Sequence, residues 1–152
     1  MNLTPPSSES ERNHTKEPER KNARSILLAE DDREMRKMLA DALRRAGYKV
    51  LECPDGLQLL NQIGAVLFLH EEGEPIDLII SDVRMPGASG QEVLEQLHNC
   101  QGFPPMILIT AFGDELAHAK AEWFGAAAMF DKPFDVDKLI DKVGELLPAT
   151  DQ

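Results

Sequence analysis

The chain has 152 residues, 42% of them hydrophobic, and a formal net charge of −11. Its length suits one globular domain, and no apolar run approaches the roughly 20 residues that a membrane-spanning helix needs. The acidic excess lies after residue 24, since residues 1–24 hold five basic and four acidic side chains. A domain this acidic would repel the phosphate backbone of a nucleic acid. We therefore expect no direct nucleic-acid binding by this domain and no membrane association. It suits a divalent cation or a basic partner.

The first residues and the cysteines bear on where the protein works. Residues 1–24 are polar, contain Pro and Ser, and lack the apolar region of a secretory signal, which predicts a disordered leader. A globular domain is expected at 25–148, followed by a short tail at 149–152. Cys53 and Cys100 have neither metal-binding nor disulfide spacing, so we interpret them as reduced thiols in a cytoplasmic protein.

From Ser25 onward, short apolar runs alternate with helical patterns, which is typical of a parallel α/β sheet. The predicted strands are Ser25–Ala29, Tyr48–Glu52, Ile76–Asp82, Pro105–Thr110 and Ala127–Asp131. The predicted helices begin near Asp32, Gly56, Gly90, Asp114 and Asp135. In the fourth helix, Trp123 and Phe124 are expected to act as anchors. Helices must cover both faces of such a sheet, and the functional crevice lies beyond the carboxyl ends of the strands.

Three carboxylates fall at those carboxyl ends. Glu30 and Asp31 follow the first strand, and Asp82 ends the third. Like charges crowded together raise each other's pKa unless a cation neutralises them. Carboxylate oxygens with open coordination positions suit Mg²⁺, which prefers a few acids, several waters and a phosphate. The sequence therefore predicts a magnesium site at this edge of the sheet.

Two further side chains at the same edge supply what the acids lack. Lys132 offers a positive charge that can pair with a carboxylate or a phosphoryl oxygen, and the Thr110 hydroxyl can donate to a phosphoryl oxygen. The Lys132–Pro133 bond is a candidate cis peptide. These residues together predict a phosphoryl-transfer centre in which Asp82 is the nucleophile.

Four motifs in order along the chain carry a family resemblance. They are LLAEDD at the first strand, IISDVRMPGASG around Asp82, ILITAFG at the fourth strand and MFDKPFD at the fifth. Over Ser25 to Leu147 the chain resembles the receiver domain of two-component response regulators. The resemblance implies a doubly wound five-stranded parallel sheet in the order 2-1-3-4-5 with five helices.

The family's roles carry over to matching positions. Asp82 corresponds to the residue that accepts a phosphoryl group from a histidine kinase or phosphotransfer protein. Thr110 corresponds to the switch hydroxyl and Lys132 to the lysine that pairs with the phosphate. The implied Mg²⁺ ligands are Glu30, Asp31, Asp82 and the backbone carbonyl of Arg84. Such a domain is not an enzyme beyond its own phosphorylation and dephosphorylation. It controls a partner, or forms a homodimer, through the fourth helix, fifth strand and fifth helix.

Some positions depart from the family pattern. Met129 stands where the family usually has Tyr or Phe, so it either fills the switch cavity weakly, with Phe130, Phe134 or Phe112 taking over, or simply packs in the core. Phe112 and Arg84 occupy positions that tune the lifetime of the aspartyl phosphate, and we expect Phe112 to screen the phosphoryl group from water. The alternative is a degenerate receiver that binds proteins without phosphorylation.

Two other functions fit these residues poorly, and one segment departs from the length that the family requires. An aspartyl hydrolase would need an acid two residues after the nucleophile, where Arg84 stands. A flavodoxin-like cofactor binder would need a phosphate loop after the first strand, where the acids stand. The segment 57–75 is longer than the family requires. It is either a long second helix with an exposed apolar patch or a helix followed by an irregular loop.

Overall fold

The computed structural model describes residues 23–65, 75–98, 100, 102–111 and 114–148. Within these residues the strands are β1 Ser25–Ala29, β2 Lys49–Cys53, β3 Leu78–Asp82, β4 Met106–Ala111 and β5 Ala128–Lys132. They form one five-stranded sheet in the order β2-β1-β3-β4-β5, and every neighbouring pair is parallel. The order implied by the family resemblance is confirmed.

Five helices alternate with the strands in the same part of the chain. They are α1 Arg33–Arg45, α2 Gly56–Ile63, α3 Gly90–Leu97, α4 Glu115–Trp123 and α5 Val136–Leu146. Each begins after a side chain that accepts a hydrogen bond from a backbone N–H of its first turn; these caps are Asp32, Asp55, Ser89, Asp114 and Asp135. Such caps satisfy N–H groups that have no partner within the helix, which is why Asp and Ser open helices so often.

The sheet is covered by an apolar layer on each face. One face packs against α1 and α5 through Leu39, Leu43, Leu139 and Val143. The other packs against α2, α3 and α4 and includes Leu59, Val93 and Ala117. The central strands are therefore buried on both sides, as parallel strands usually are. Polar side chains buried at strand ends stand out against this background.

Some sequence-based expectations needed correction. The side chain of Trp123 is 78% exposed, so its predicted anchoring role is wrong, because α4 turns Ala117 and Ala121 toward the sheet instead. Phe124 is partly buried and packs against the core, as expected. The α-helical part of the second helix spans Gly56–Ile63, and the choice between a longer helix and an irregular loop in segment 57–75 stays open. Residues 66–74, the leader through residue 22 and the tail 149–152 lie outside the described residues. In the part that is described, no helix combines the length and apolarity needed to cross a bilayer.

Candidate functional site

Four strands bring functional side chains to one edge of the sheet. Glu30 directly follows β1, Asp82 ends β3, Thr110 lies near the end of β4 and Lys132 ends β5. The parallel register places Asp82 beside Ile109 and Lys132 beside Ala111, so the ends of β3, β4 and β5 are level. Residues separated by up to about a hundred positions in sequence thus meet at one edge.

The three predicted acids form a compact cluster. One ligand oxygen from each of Glu30, Asp31 and Asp82 lies within 4.8 Å of the others. Glu30 is 1% exposed and Asp82 6%, whereas Asp31 faces solvent. The pKa of Glu30 is raised to about 7, chiefly by burial and also by the negative charge of Asp82, while a hydrogen bond from the Asp32 N–H and the charge of Lys132 oppose the rise. The cluster holds more negative charge than its own protein neighbours neutralise.

The donor set fits a hard divalent cation. Glu30 Oε2 accepts a hydrogen bond from the Asp32 N–H at 3.0 Å, whereas the buried Glu30 Oε1 forms no well-aligned hydrogen bond among the described residues and has only the Lys132 ammonium nearby, at 3.3 Å. A buried carboxylate oxygen has room for a further partner, and a cation or its bound water could supply it. All three groups offer oxygen, the ligand atom that Mg²⁺ prefers, and Asp31 leaves the cluster open on the solvent side.

Lys132 supplies the positive charge at this site. Its Nζ lies 3.1 Å from Asp82 Oδ2 and 3.3 Å from Glu30 Oε1. Desolvation lowers the pKa of Lys132, but the hydrogen bond and charge of Asp82, together with Glu30, outweigh it and raise the pKa overall. The predicted cis peptide between Lys132 and Pro133 is confirmed.

The loop after Asp82 depends on a close approach between α3 and the end of β3. A Cβ atom at Gly90 would lie 2.4 Å from the Asp82 carbonyl oxygen and 2.6 Å from Ser81 Oγ, so only glycine fits. The Gly90 N–H donates to the Val83 carbonyl at 3.0 Å. This close approach keeps the loop that contains Arg84 short and next to the acidic cluster. The role of the Arg84 carbonyl as a metal ligand stays a prediction.

Thr110 has a partner that the sequence did not indicate. The residue is fully buried, and its hydroxyl donates a long hydrogen bond of 3.4 Å to Asp114 Oδ2. The same oxygen accepts from Arg84 Nη2 at 2.5 Å. A hydrogen bond from the Ala117 N–H lowers the pKa of Asp114, and the bond and charge of Arg84 lower it further. Asp114 was recognised only as the start of a helix, because nothing in its spacing reveals a contact across three elements.

Met129 lies on the same face of the sheet as α4 and packs, partly buried, against the cluster that contains Leu108. Such packing fits both predicted roles, so the role of Met129 stays a prediction. Phe130 and Phe134 pack against the opposite face and contact each other, with ring centroids 5.7 Å apart. They are therefore not placed to substitute for a ring at Met129. Phe112 lies outside the described residues, so its screening role stays a prediction.

Comparisons of sequence agree with this geometry. The family model described as the response regulator receiver domain matches residues 26–144. The C4-dicarboxylate transport transcriptional regulatory protein DctD of Pseudomonas aeruginosa is 36% identical over 125 residues, which are 80% of this chain and 25% of that protein. Sporulation initiation phosphotransferase F of Bacillus subtilis is 29% identical over 123 residues, 81% of this chain and 93% of that protein. The chain spans only a quarter of the first relative but nearly all of the second.

Solved structures share the fold. The response regulator protein TrrA of Thermotoga maritima, in complex with Mg²⁺ and BeF, has a TM-score of 0.66 and 29% identity, covering 82% of this chain and 99% of that one. The receiver domain of the Francisella response regulator 1452 has a TM-score of 0.70 and 24% identity, covering 81% of this chain and 95% of that one. At that lower identity, the second likeness speaks for the fold alone.

Proposed function

We propose a function from the premise that this chain belongs to the response regulator receiver domain family of two-component systems. Members of that family are signalling modules rather than classical enzymes. The proposal is that Asp82 accepts a phosphoryl group from a histidine kinase or phosphotransfer protein in a Mg²⁺-dependent reaction. The receiver would occupy residues 25–148, between the leader 1–24 and the tail 149–152.

The proposed transfer uses one carboxylate oxygen of Asp82 as the nucleophile. A bond forms between that oxygen and the phosphorus of the donor phosphohistidine, and the phosphorus–nitrogen bond breaks, which leaves its electron pair on the imidazole. Lys132, 3.1 Å from Asp82 Oδ2, would pair with the incoming phosphoryl oxygens. The Thr110 hydroxyl would donate to another of them. Both contacts strengthen as negative charge arrives at this edge of the sheet.

The bound metal belongs to the proposal as well. Glu30, Asp31, Asp82 and the backbone carbonyl of Arg84 would hold Mg²⁺, which supplies positive charge to the phosphoryl oxygens. The closeness of the three carboxylates, and the lack of a well-aligned hydrogen bond to the buried Glu30 Oε1, support this ligand set. The T. maritima relative solved with Mg²⁺ and BeF is a member of the same family.

The output of the switch is also proposed by family likeness. Phosphorylation would alter the surface of α4, β5 and α5, which would then control a partner or form a homodimer. Phe112 and Arg84 would tune how long the phosphoryl group persists. We also propose a cytoplasmic location, because the free thiols of Cys53 and Cys100 suit a reducing compartment.

One observation carries the proposal: Lys132 Nζ lies within 3.3 Å of both Asp82 and Glu30, at the point where three acids converge. The test is the intact mass of the protein after incubation with acetyl phosphate, with and without Mg²⁺. We expect a Mg²⁺-dependent gain of one phosphoryl group in the wild type. Asp82→Asn should show no gain, whereas Asp141→Asn, an exposed α5 carboxylate, should behave as wild type.

Three results would contradict different parts of the proposal. A folded wild type that gains no mass would favour the degenerate receiver that binds proteins without phosphorylation. A gain that persists in Asp82→Asn would move the phosphoacceptor to another residue. A gain that does not depend on Mg²⁺ would remove the metal from the proposal.

A further inference from the structure

Asp114 joins three elements through one carboxylate. Its Oδ1 caps α4 by accepting from the Ala117 N–H at 3.2 Å. Its Oδ2 accepts two hydrogen bonds, one from the Thr110 hydroxyl of β4 and one from the guanidinium of Arg84 in the loop after β3. Both donors on Oδ2 therefore come from the edge of the sheet that carries Asp82, here called the phosphoacceptor edge, and α4 is attached to them through its N-cap.

The Thr110 hydroxyl cannot serve two acceptors at once, whereas the Arg84 guanidinium has five N–H donors and is limited only by its position. A threonine hydroxyl has a single proton, so while Thr110 donates to Asp114 it cannot donate to a phosphoryl oxygen. Its bond of 3.4 Å is long and therefore weak, which makes it easy to exchange. The Arg84 side chain is 74% exposed, so it can rotate, and its pairing with Asp114 is what restrains it. A phosphoryl group on Asp82 would compete for both.

We propose that Asp114 is a positioning residue that holds the Thr110 hydroxyl and the Arg84 guanidinium away from Asp82 before phosphorylation and competes with the phosphoryl group for them. This inference rests on the proposed function of Asp82. Once both donors move to the phosphoryl oxygens, Asp114 keeps only its bond to the α4 backbone. The start of α4 then loses two of its connections to the sheet edge.

Replacing Asp114 by Asn should remove the proposed competition for the two donors while keeping the cap of α4. In Asp114→Asn the amide oxygen can still cap α4, since Asn is as good an N-cap as Asp. The amide nitrogen that replaces the second oxygen is a donor, so it cannot accept from Thr110 or Arg84. Asp135→Asn is the matched control: Asp135 caps α5 by accepting from the Asp137 N–H at 2.9 Å and lies at the same edge of the sheet.

The test measures the affinity for beryllofluoride in the presence of Mg²⁺ by calorimetry. We expect Asp114→Asn to bind it at least about fivefold more tightly than the wild type, because a competing acceptor has been removed. Asp135→Asn should stay within twofold of the wild type. In an Arg84→Ala, Thr110→Val background, which lacks both competed donors, adding Asp114→Asn should change the affinity less than twofold.

Each other outcome overturns the inference. Equal affinity in Asp114→Asn and wild type shows that Asp114 does not compete, and equal tightening in Asp135→Asn shows only a general loss of negative charge. If Asp114→Asn does not fold, Asp114→Ser keeps a capping oxygen and the same expectation applies. A wild type that binds no beryllofluoride with Mg²⁺ contradicts the proposed function and with it this inference, so the two failures are distinguishable.

Discussion

Helices α4 and α5 are attached to the sheet in different ways. α5 buries Leu139 and Val143 completely against the apolar face that it shares with α1. α4 buries only Ala117 and Ala121 and leaves Leu116 67% exposed and Trp123 78% exposed. Burial of a leucine or valine side chain contributes about 1.5–3 kcal/mol, and an alanine contributes much less. α5 is therefore held by apolar burial, and α4 needs other contacts.

The contacts that hold α4 are polar and lie near the phosphoacceptor edge. Thr110 and Asp131 are partners in the β4–β5 register, and each bonds to α4 or its cap: Thr110 to Asp114, and Asp131 Oδ1 to His118 Nε2 at 2.6 Å. Asp131 directly precedes Lys132. A change of charge at Asp82 acts on the neighbours of these contacts, whereas it changes nothing that α5 buries. The comparison favours α4 over α5 as the helix that would respond more strongly to the proposed phosphorylation of Asp82.

The largest loss of stability should come from a substitution in α5. Leu139→Ala removes a fully buried side chain and should lower the free energy of unfolding by about 3 kcal/mol. Ala117→Gly, a buried position of α4, should lower it by only about 1 kcal/mol, mostly through helix propensity. Urea unfolding of both variants measures the difference. Similar losses in the two would mean that α4 is anchored as firmly as α5.

The stability of the protein and its affinity for Mg²⁺ should both depend on pH through Glu30. Glu30 has a pKa of about 7 instead of 4.5, so the folded metal-free protein holds a proton that the unfolded chain releases, and its stability falls as pH rises from about 4.5 to 7. Mg²⁺ must displace that proton below pH 7. Its affinity should therefore be about tenfold weaker at pH 6 than at pH 8.

Calorimetric titration with Mg²⁺ at both pH values measures this dependence. Glu30→Gln cannot ionise and serves as the control, because its residual affinity should vary much less with pH. An affinity that is equal at pH 6 and pH 8 in the wild type would contradict the assignment of the proton to Glu30.

A smaller effect is expected at the second polar contact of α4. Asp131→Asn removes the charge that faces His118, and both side chains are more than a third exposed, so the free energy of unfolding should fall by less than about 1 kcal/mol. Amide exchange in α4 should nevertheless become faster, because one of its links to β5 is weakened. Loss of more than about 2 kcal/mol in urea unfolding would show that this pair is structural in a way that its exposure does not suggest.

The smallest effect should come from the most exposed aromatic residue. Trp123→Gln should change the free energy of unfolding by no more than about 0.5 kcal/mol, because the side chain is 78% exposed in the monomer. Phe124→Ala at the next residue, which packs against the core, should be clearly destabilising by comparison. If Trp123→Gln is the more damaging of the two, the orientation of α4 described above is wrong.

Much of the fold was predictable because its signals are local and repeated. Apolar runs indicate β1 and β3, an acidic residue marks the start of α1, α4 and α5, and the strand-end rule predicts that Asp82 and Lys132 lie together. Boundaries shifted by one or two residues, since hydrophobic patterns do not fix which residue makes the last ladder bond. β2, for example, begins at Lys49 rather than Tyr48.

What the sequence did not reveal depends on side-chain direction and partners. Trp123 was expected to be buried because of its size, but the rotation of α4 depends on which residues fit against the sheet, and two alanines do. The Arg84–Asp114 contact joins residues thirty positions apart on separate elements, with no periodic signal between them. The sequence allows two roles for the partly buried Met129, and it does not indicate the face of the sheet on which this residue lies.

Hydrogen exchange with Mg²⁺ and beryllofluoride tests most directly the claim that α4 responds more than α5 to charge at Asp82. The account predicts clearly faster amide exchange in Glu115–Trp123 on binding, at most a small change in Val136–Leu146, and no change in either helix for Asp82→Asn. Equal changes in both helices, or no change in α4 when binding is independently demonstrated, would contradict it.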